Sequence, residues 1–266
     1  MKKILFLFLL PGLSHGFQSE VSGARVTYDS GNELYATSYI GNIKYYFSEL
    51  EFNDKPFKEI AFLNAVSSAD FFFAKSDFEV LSSLNINSIM KGLSAVLYYK
   101  NLALDVSYSN LETTSDALTF QYNSSTYSIE PGLRIGDTNM LYGVYENQIQ
   151  NDFLYEERTK TYGIGFKTVL DNANIVLQYS KSESDQLVTN TEFTGILLEY
   201  YLTNFSYVGV RYITETEELT NDFSTATFSL GGLIEKQLSY EFAYSESTLD
   251  FDEKETSVYV EIGVNF

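Results

Sequence analysis

The sequence contains no cysteine and no tryptophan, one histidine and three prolines among 266 residues. Without cysteine there can be no disulfide framework, thiolate nucleophile or zinc–sulfur centre. The one imidazole, His15, falls inside an N-terminal stretch that reads as an export leader. Lys2 and Lys3 precede an apolar run from Ile4 to Leu10, and Ser14-His15-Gly16 supplies small residues for cleavage. With residues 1–16 removed, the rest of the chain, 17–266, has no histidine base, so hydrolase and acyltransferase chemistry built on one is excluded. A carboxylate pair such as Glu199 and Glu241 could do acid–base work, but nothing in its spacing points there. "DFDEKE" lacks the glycine and ligand spacing of a calcium loop. No enzyme activity, cofactor or metal site is therefore expected.

Basic residues are also scarce, 17 against 36 acidic ones, for a net charge of −19. Such a surface repels phosphate backbones, which argues against a nucleic-acid partner. Long apolar runs are missing too. A membrane-spanning helix needs roughly 20 apolar residues, and Ile4–Leu10 is far shorter.

What is present is tyrosine (22) and phenylalanine (21), set in segments that alternate with a period of two. "NLALDVSYS" places Leu102, Leu104, Val106 and Tyr108 on one side, with Ala103, Asp105, Ser107 and Ser109 on the other. The closing "SVYVEIGVNF" does the same, with Val258, Val260, Ile262, Val264 and Phe266 apolar. A period of two gives a strand one apolar and one polar face. Strands are expected near 20–29, 34–47, 68–80, 88–99, 102–112, 123–135, 139–149, 158–170, 174–183, 191–202, 205–215, 223–234, 237–247 and 256–266, about 14 in all. If the weak first and third are dropped, 12 is the alternative. Tight turns such as Lys100-Asn101 and Thr203-Asn204 alternate with longer acidic connections such as Glu112 to Phe120 and Ser247 to Glu255.

Sorting of short and long connections to opposite ends, with an even strand number, is the pattern of an antiparallel up-and-down barrel in an outer membrane. In lipid every backbone group must find a partner within the protein, so such a sheet has to close. The expected fold is therefore an all-β transmembrane barrel with an apolar outside and a polar lumen. Residues 48–66 break the short-turn rule; Pro56 and the spacing of Phe57, Ile60, Ala61 and Leu63 predict a short helix there.

A charge facing mid-membrane costs about 2–4 kcal/mol, so strand charges are assigned to the lumen. The basic set is Arg25, Lys44, Lys75, Arg134, Lys167 and Arg211; the acidic set is Asp77, Asp105, Glu130, Glu199, Glu241 and Glu261. Barrels of eight strands are filled by side chains, whereas 16–18 strands leave an aqueous channel, so about 14 predict a narrow one. The expectation is a passive pore for small hydrophilic solutes, mildly cation-selective. Two alternatives stay open. One is a non-conducting barrel whose acidic loops bind an external partner or lipopolysaccharide; the other is a hydrophobic-solute transporter.

The run "YYFSELEFNDKPFKEIAFLNAVSS" resembles the mark of a gammaproteobacterial porin family. There, an aromatic strand end precedes a proline-containing turn and a Glu-Ala-Ala-Phe-Leu stretch. Tyr45, Tyr46, Phe47, Pro56, Glu59, Ala61, Phe62 and Leu63 match, while Ile60 departs from the usual alanine. Phe266 is similar to the C-terminal signal read by barrel-assembly machinery. The resemblance implies an outer-membrane porin in contact with lipid and lipopolysaccharide. Trimeric porins are commonly larger, which favours a monomer.

Overall fold

The computed structural model describes residues 16–29, 34–51, 55–80, 84–115, 121–151, 156–186, 190–217, 223–248 and 254–266. All but Gly16 of the expected leader lies outside these residues. The described residues form fourteen strands: β1 (Gly16–Asp29), β2 (Leu34–Glu51), β3 (Ser68–Val80), β4 (Leu84–Tyr99), β5 (Leu102–Ser115), β6 (Gln121–Ile135) and β7 (Asn139–Asn151), followed by β8 (Glu156–Leu170), β9 (Ala173–Ser184), β10 (Asn190–Thr203), β11 (Ser206–Glu217), β12 (Phe223–Ile234), β13 (Leu238–Thr248) and β14 (Lys254–Asn265). Each pairs antiparallel with its sequence neighbours, and β1 pairs with β14 to close the ring. Phe266 completes the seam: its N–H donates to the Ser19 carbonyl at 2.9 Å, and the Ser19 N–H returns the bond at 2.8 Å. The expected strand number of 14 holds, the first and third strands included, and closure leaves no unpaired edge.

Alternation decides what faces outward. Leu102, Leu104, Ile129, Leu133, Ile164, Leu198, Val210, Leu230, Phe242, Val260 and Ile262 are all exposed on the outer wall. This belt lies between two rows of outward aromatic residues. Tyr39, Tyr108, Tyr127, Tyr162, Tyr179, Tyr212 and Tyr244 lie toward one end, and Tyr45, Phe47, Tyr99 and Tyr200 toward the other. Paired apolar belt and aromatic girdles are the signature of a barrel set in a bilayer. Cross-strand ring pairs such as Tyr108–Tyr127 and Tyr145–Tyr162, with centroids 4.9 and 5.4 Å apart, stiffen the first girdle.

Two ends are distinguished by their connections. At the end holding both β1's start and β14's finish, ordinary connections span two or three residues. Lys100, Gly136, Glu235 and Lys236 adopt positive φ there, as tight hairpins require. At the opposite end the described strands extend past the bounds expected from sequence. The strands run on into those acidic stretches: β5 reaches Ser115 and β13 reaches Thr248. Beyond the girdle both faces of a strand are polar, so its period-two signal fades although the strand continues.

The turn end carries one long insertion, between β2 and β3. Phe57–Glu59 forms a 3-10 turn, and Ile60–Leu63 the helix α1. Ala65, at φ 53°, ends the helix in the left-handed region, with the Val66 N–H donating to the Ala61 carbonyl at 2.8 Å. The sequence places a helix here correctly. Its destination is the new observation: the insertion folds back inside the barrel.

Candidate functional site

Pro56 fixes the entry to the 3-10 turn, and the next residues set two adjacent charges, Lys58 and Glu59, between Phe57 and the apolar run Ile60–Leu63. That local pattern lets one short segment touch several walls at once. Ile60, fully buried, packs with Tyr46, Leu50 and Val66 on the β2 side. Phe62 and Leu63 pack on Val169 of β8, with Tyr98 and Met140 alongside. The Phe57 N–H donates to the Asn204 carbonyl in the β10–β11 turn at 2.9 Å. Glu59 accepts from Asn174 of β9 at 3.0 Å. In a ring of fourteen, β2 and β9 are seven places apart, so the segment reaches diametrically opposite walls. It is a plug across the lumen at the turn end.

Two ion-paired clusters fasten it. Lys58 Nζ stands 2.6 Å from Glu199 Oε1 and 3.7 Å from Glu241 Oε2. It also donates to the Tyr207 hydroxyl at 3.0 Å and lies 4.1 Å from that ring's centroid. Glu59 pairs with Lys167 Nζ at 2.5 Å, and the same ammonium lies 4.6 Å from the Phe62 centroid. Arg134 Nη2 donates to the Leu63 carbonyl at 3.2 Å and to the Asp137 carbonyl at 3.1 Å. Glu59 and Glu199 are each only 3% exposed, so their charges require these cations.

Above the plug the lumen holds a cavity of about 740 Å³. Phe57, Lys58 and Glu59 are among its lining residues, with Glu20, Lys44, Arg211, Glu241 and Glu261 on its walls. Glu261 lies directly across the strand pair from Glu241 and accepts a hydrogen bond from the Tyr259 hydroxyl. Asp105 lies likewise opposite Glu130 on the β5–β6 pair. Like charges placed directly opposite are unfavourable, and these acidic pairs give the wall a negative field. Toward the loop end the lining turns to hydroxyls bonded across strands, such as Ser38–Ser76, Thr161–Ser182 and Thr227–Ser245.

Of the residues assigned to the lumen from sequence, Lys44, Asp105, Glu130, Arg134, Lys167, Glu199, Arg211, Glu241 and Glu261 do face inward. Glu199, Glu241, Lys167 and Arg134, however, engage the plug. Arg25, Lys75 and Asp77 are corrections: all three lie on the outer wall. Arg25 is opposite outward Tyr39 and Val260, its guanidinium 6.0 Å from the Tyr39 centroid. Lys75 is opposite Tyr39 on the other side and pairs with Asp77 at 3.1 Å. At girdle level a lipid-facing charge costs only about 0–1 kcal/mol, so the mid-membrane penalty does not force these inward. Glu20, Lys58, Asp70 and Glu146 are not among the residues the sequence points to, and Glu59 is so only as part of the porin-like block. Alternation within β1, β3 and β7 could have assigned the three strand acids, but not the plug charges. Of the loop acids, Asp152, Glu218, Asp222, Asp250, Asp252 and Glu253 lie outside the described residues.

The fold, the apolar belt and the polar interior define a bacterial outer-membrane β-barrel. No family model and no curated protein sequence matches the chain. Among solved structures it is similar to Omp33 of Acinetobacter baumannii, at 15% identity and TM-score 0.57 over 95% of this chain and 99% of that one. It is also similar to the toluene transporter TodX of P. putida, at 9% identity and TM-score 0.55 over 96% and 91% of the two chains. A bacterial polysaccharide outer membrane secretin aligns at 6% identity and TM-score 0.54 over 95% and 99%. These likenesses show the barrel fold. In such barrels the short-turn end lies in the periplasm, which puts the plug at the periplasmic mouth.

Proposed function

We propose that the protein is an outer-membrane diffusion channel for small hydrophilic solutes, favouring cations, whose periplasmic mouth is closed by residues 55–66 and opens when they move. The observation that carries this reading is the hollow, charged lumen above the plug, about 740 Å³ in volume, inside a wall whose outer belt is apolar. A barrel built only as a scaffold has no need of a water-accessible interior with unbalanced acids. Polar lining favours hydrophilic solutes over the toluene named for TodX. The acidic pairs Glu241–Glu261 and Asp105–Glu130 favour cations. The block resembling the gammaproteobacterial porins is the plug itself, which fits a shared closing device. Phe266 fits a role as assembly signal, outward Arg25 and Lys75 fit contact with lipopolysaccharide phosphates, and one closed ring fits a monomer.

In planar bilayers the native protein should give rare, brief openings. Lys58→Met combined with Glu59→Gln should give frequent stepwise conductance. Glu241→Gln with Glu261→Gln should shift the reversal potential in a salt gradient toward lower cation preference. Silence of both native and plug-released protein, each shown folded by its gel mobility before and after boiling, contradicts the reading. Because the plug touches opposite walls, that outcome favours the second reading, a closed barrel that binds an external partner.

A further inference from the structure

We propose that Glu199, Glu241 and Tyr207 form a binding site for the primary ammonium group of a solute, and that Lys58 of the plug is its built-in occupant. The inference rests on the channel reading for the route a solute takes; the site itself stands on its geometry. Lys58 Nζ meets a carboxylate at 2.6 Å, a phenol oxygen at 3.0 Å, a second carboxylate at 3.7 Å and an aromatic face at 4.1 Å. Those groups match the two demands of an alkylammonium ion, acceptors for its N–H bonds and negative potential around it.

The site belongs to the barrel wall, not to the plug. Its three side chains come from β10, β11 and β13, and the wall holds them independently of Lys58. Glu199 Oε2 accepts from Asn174 Nδ2 at 2.7 Å. The Tyr207 ring, 2% exposed, lies over Gly231, where a Cβ would fall 2.7 Å from ring atoms. Glycine is required there because any side chain would push the ring away. A second feature points to a ligand. Asn174 lines the cavity, is 2% exposed, and its Oδ1 has no partner among the described residues, leaving a spare acceptor beside Glu199.

When the plug leaves, Glu199 loses the cation 2.6 Å from it while Glu241 stays nearby, a state that favours a replacement cation. An incoming alkylammonium supplies one, so a solute bearing that group competes directly with Lys58 and promotes opening. A quaternary ammonium has the charge but no N–H, so it cannot hydrogen-bond Glu199 and the Tyr207 hydroxyl. A tethered lysine competes at an effective concentration in the millimolar range, so binding in the native protein should be weak.

The test uses the full chain in detergent at low salt, with n-butylamine as probe and tetramethylammonium as control. By titration calorimetry, Lys58→Met should bind n-butylamine about tenfold or more tightly than the native protein. Lys58→Met with Glu199→Gln should lose that binding, and tetramethylammonium should not bind either variant. In the native protein, n-butylamine should speed cleavage after Glu59 by a glutamate-specific protease, and tetramethylammonium at equal ionic strength should not. No amine binding by Lys58→Met, binding unchanged by Glu199→Gln, or equal binding of both cations overturns the proposal. Conductance of the same variant separates the two readings. Binding without conductance removes the channel and keeps the site, and conductance without binding does the reverse.

Discussion

Ile60 shows how one residue anchors the plug. It is fully buried against Tyr46, Leu50 and Val66, so truncation removes apolar contacts that the surrounding strands cannot refill. Ile60→Ala should weaken docking of the segment by about 2–5 kcal/mol. The expected readout is faster tryptic cleavage after Lys58, with the barrel's resistance to denaturant unchanged. Equal cleavage rates would mean that the segment is held by its ion pairs alone. Gly231→Ala acts from the other side: it displaces the Tyr207 ring and should likewise speed cleavage after Lys58. At this scale the direction of a side chain is legible for some charges and not for others. Glu199, Glu241 and Glu261 alternate with long apolar neighbours, which makes their inward direction plain. Arg25 and Lys75 sit where both faces of the strand accept polar groups, so alternation gives no preference. Their direction came from a penalty that holds only deeper in the bilayer.

The element that decides function is the β2–β3 insertion. Its helical character was legible from Pro56, Phe57, Ile60 and Leu63, because that pattern is local. Where it docks was not, since Lys58 and Glu199 are 141 residues apart and meet only through ring closure. Strands were legible for a matching reason. Contact with hydrocarbon imposes the period of two wherever the belt runs, and the signal stops where the belt stops. This gives a prediction about depth. Leu230→Arg, on the outer face of β12 inside the belt, should lower folding stability in lipid by about 2–4 kcal/mol. Lys75→Leu, beside the girdle residue Tyr39, should change it by no more than about 0.5 kcal/mol. Equal effects of the two would place the girdle wrongly.

The whole molecule is a sealed cylinder with one apolar surface outside and a charged interior, crossed by its own chain at one mouth. Closure explains how a chain with net charge −19 and no long apolar run can reside in lipid: within the belt every second strand residue faces hydrocarbon, and acids such as Asp105, Glu130, Glu199, Glu241 and Glu261 are kept inside. The same closure gives Lys58 and Glu59 opposite walls to grip. Channel function then depends on whether that grip can be released. The native chain lacks cysteine, so an introduced pair has no competitor for a disulfide. Phe62 of the plug and Val169 of the wall share one buried cluster, the place to introduce that pair in a Phe62→Cys and Val169→Cys variant. Its conductance in planar bilayers, recorded before and after reduction, tests the account most directly. Silence when oxidised and stepwise conductance when reduced is the predicted result; the same conductance in both states would contradict it.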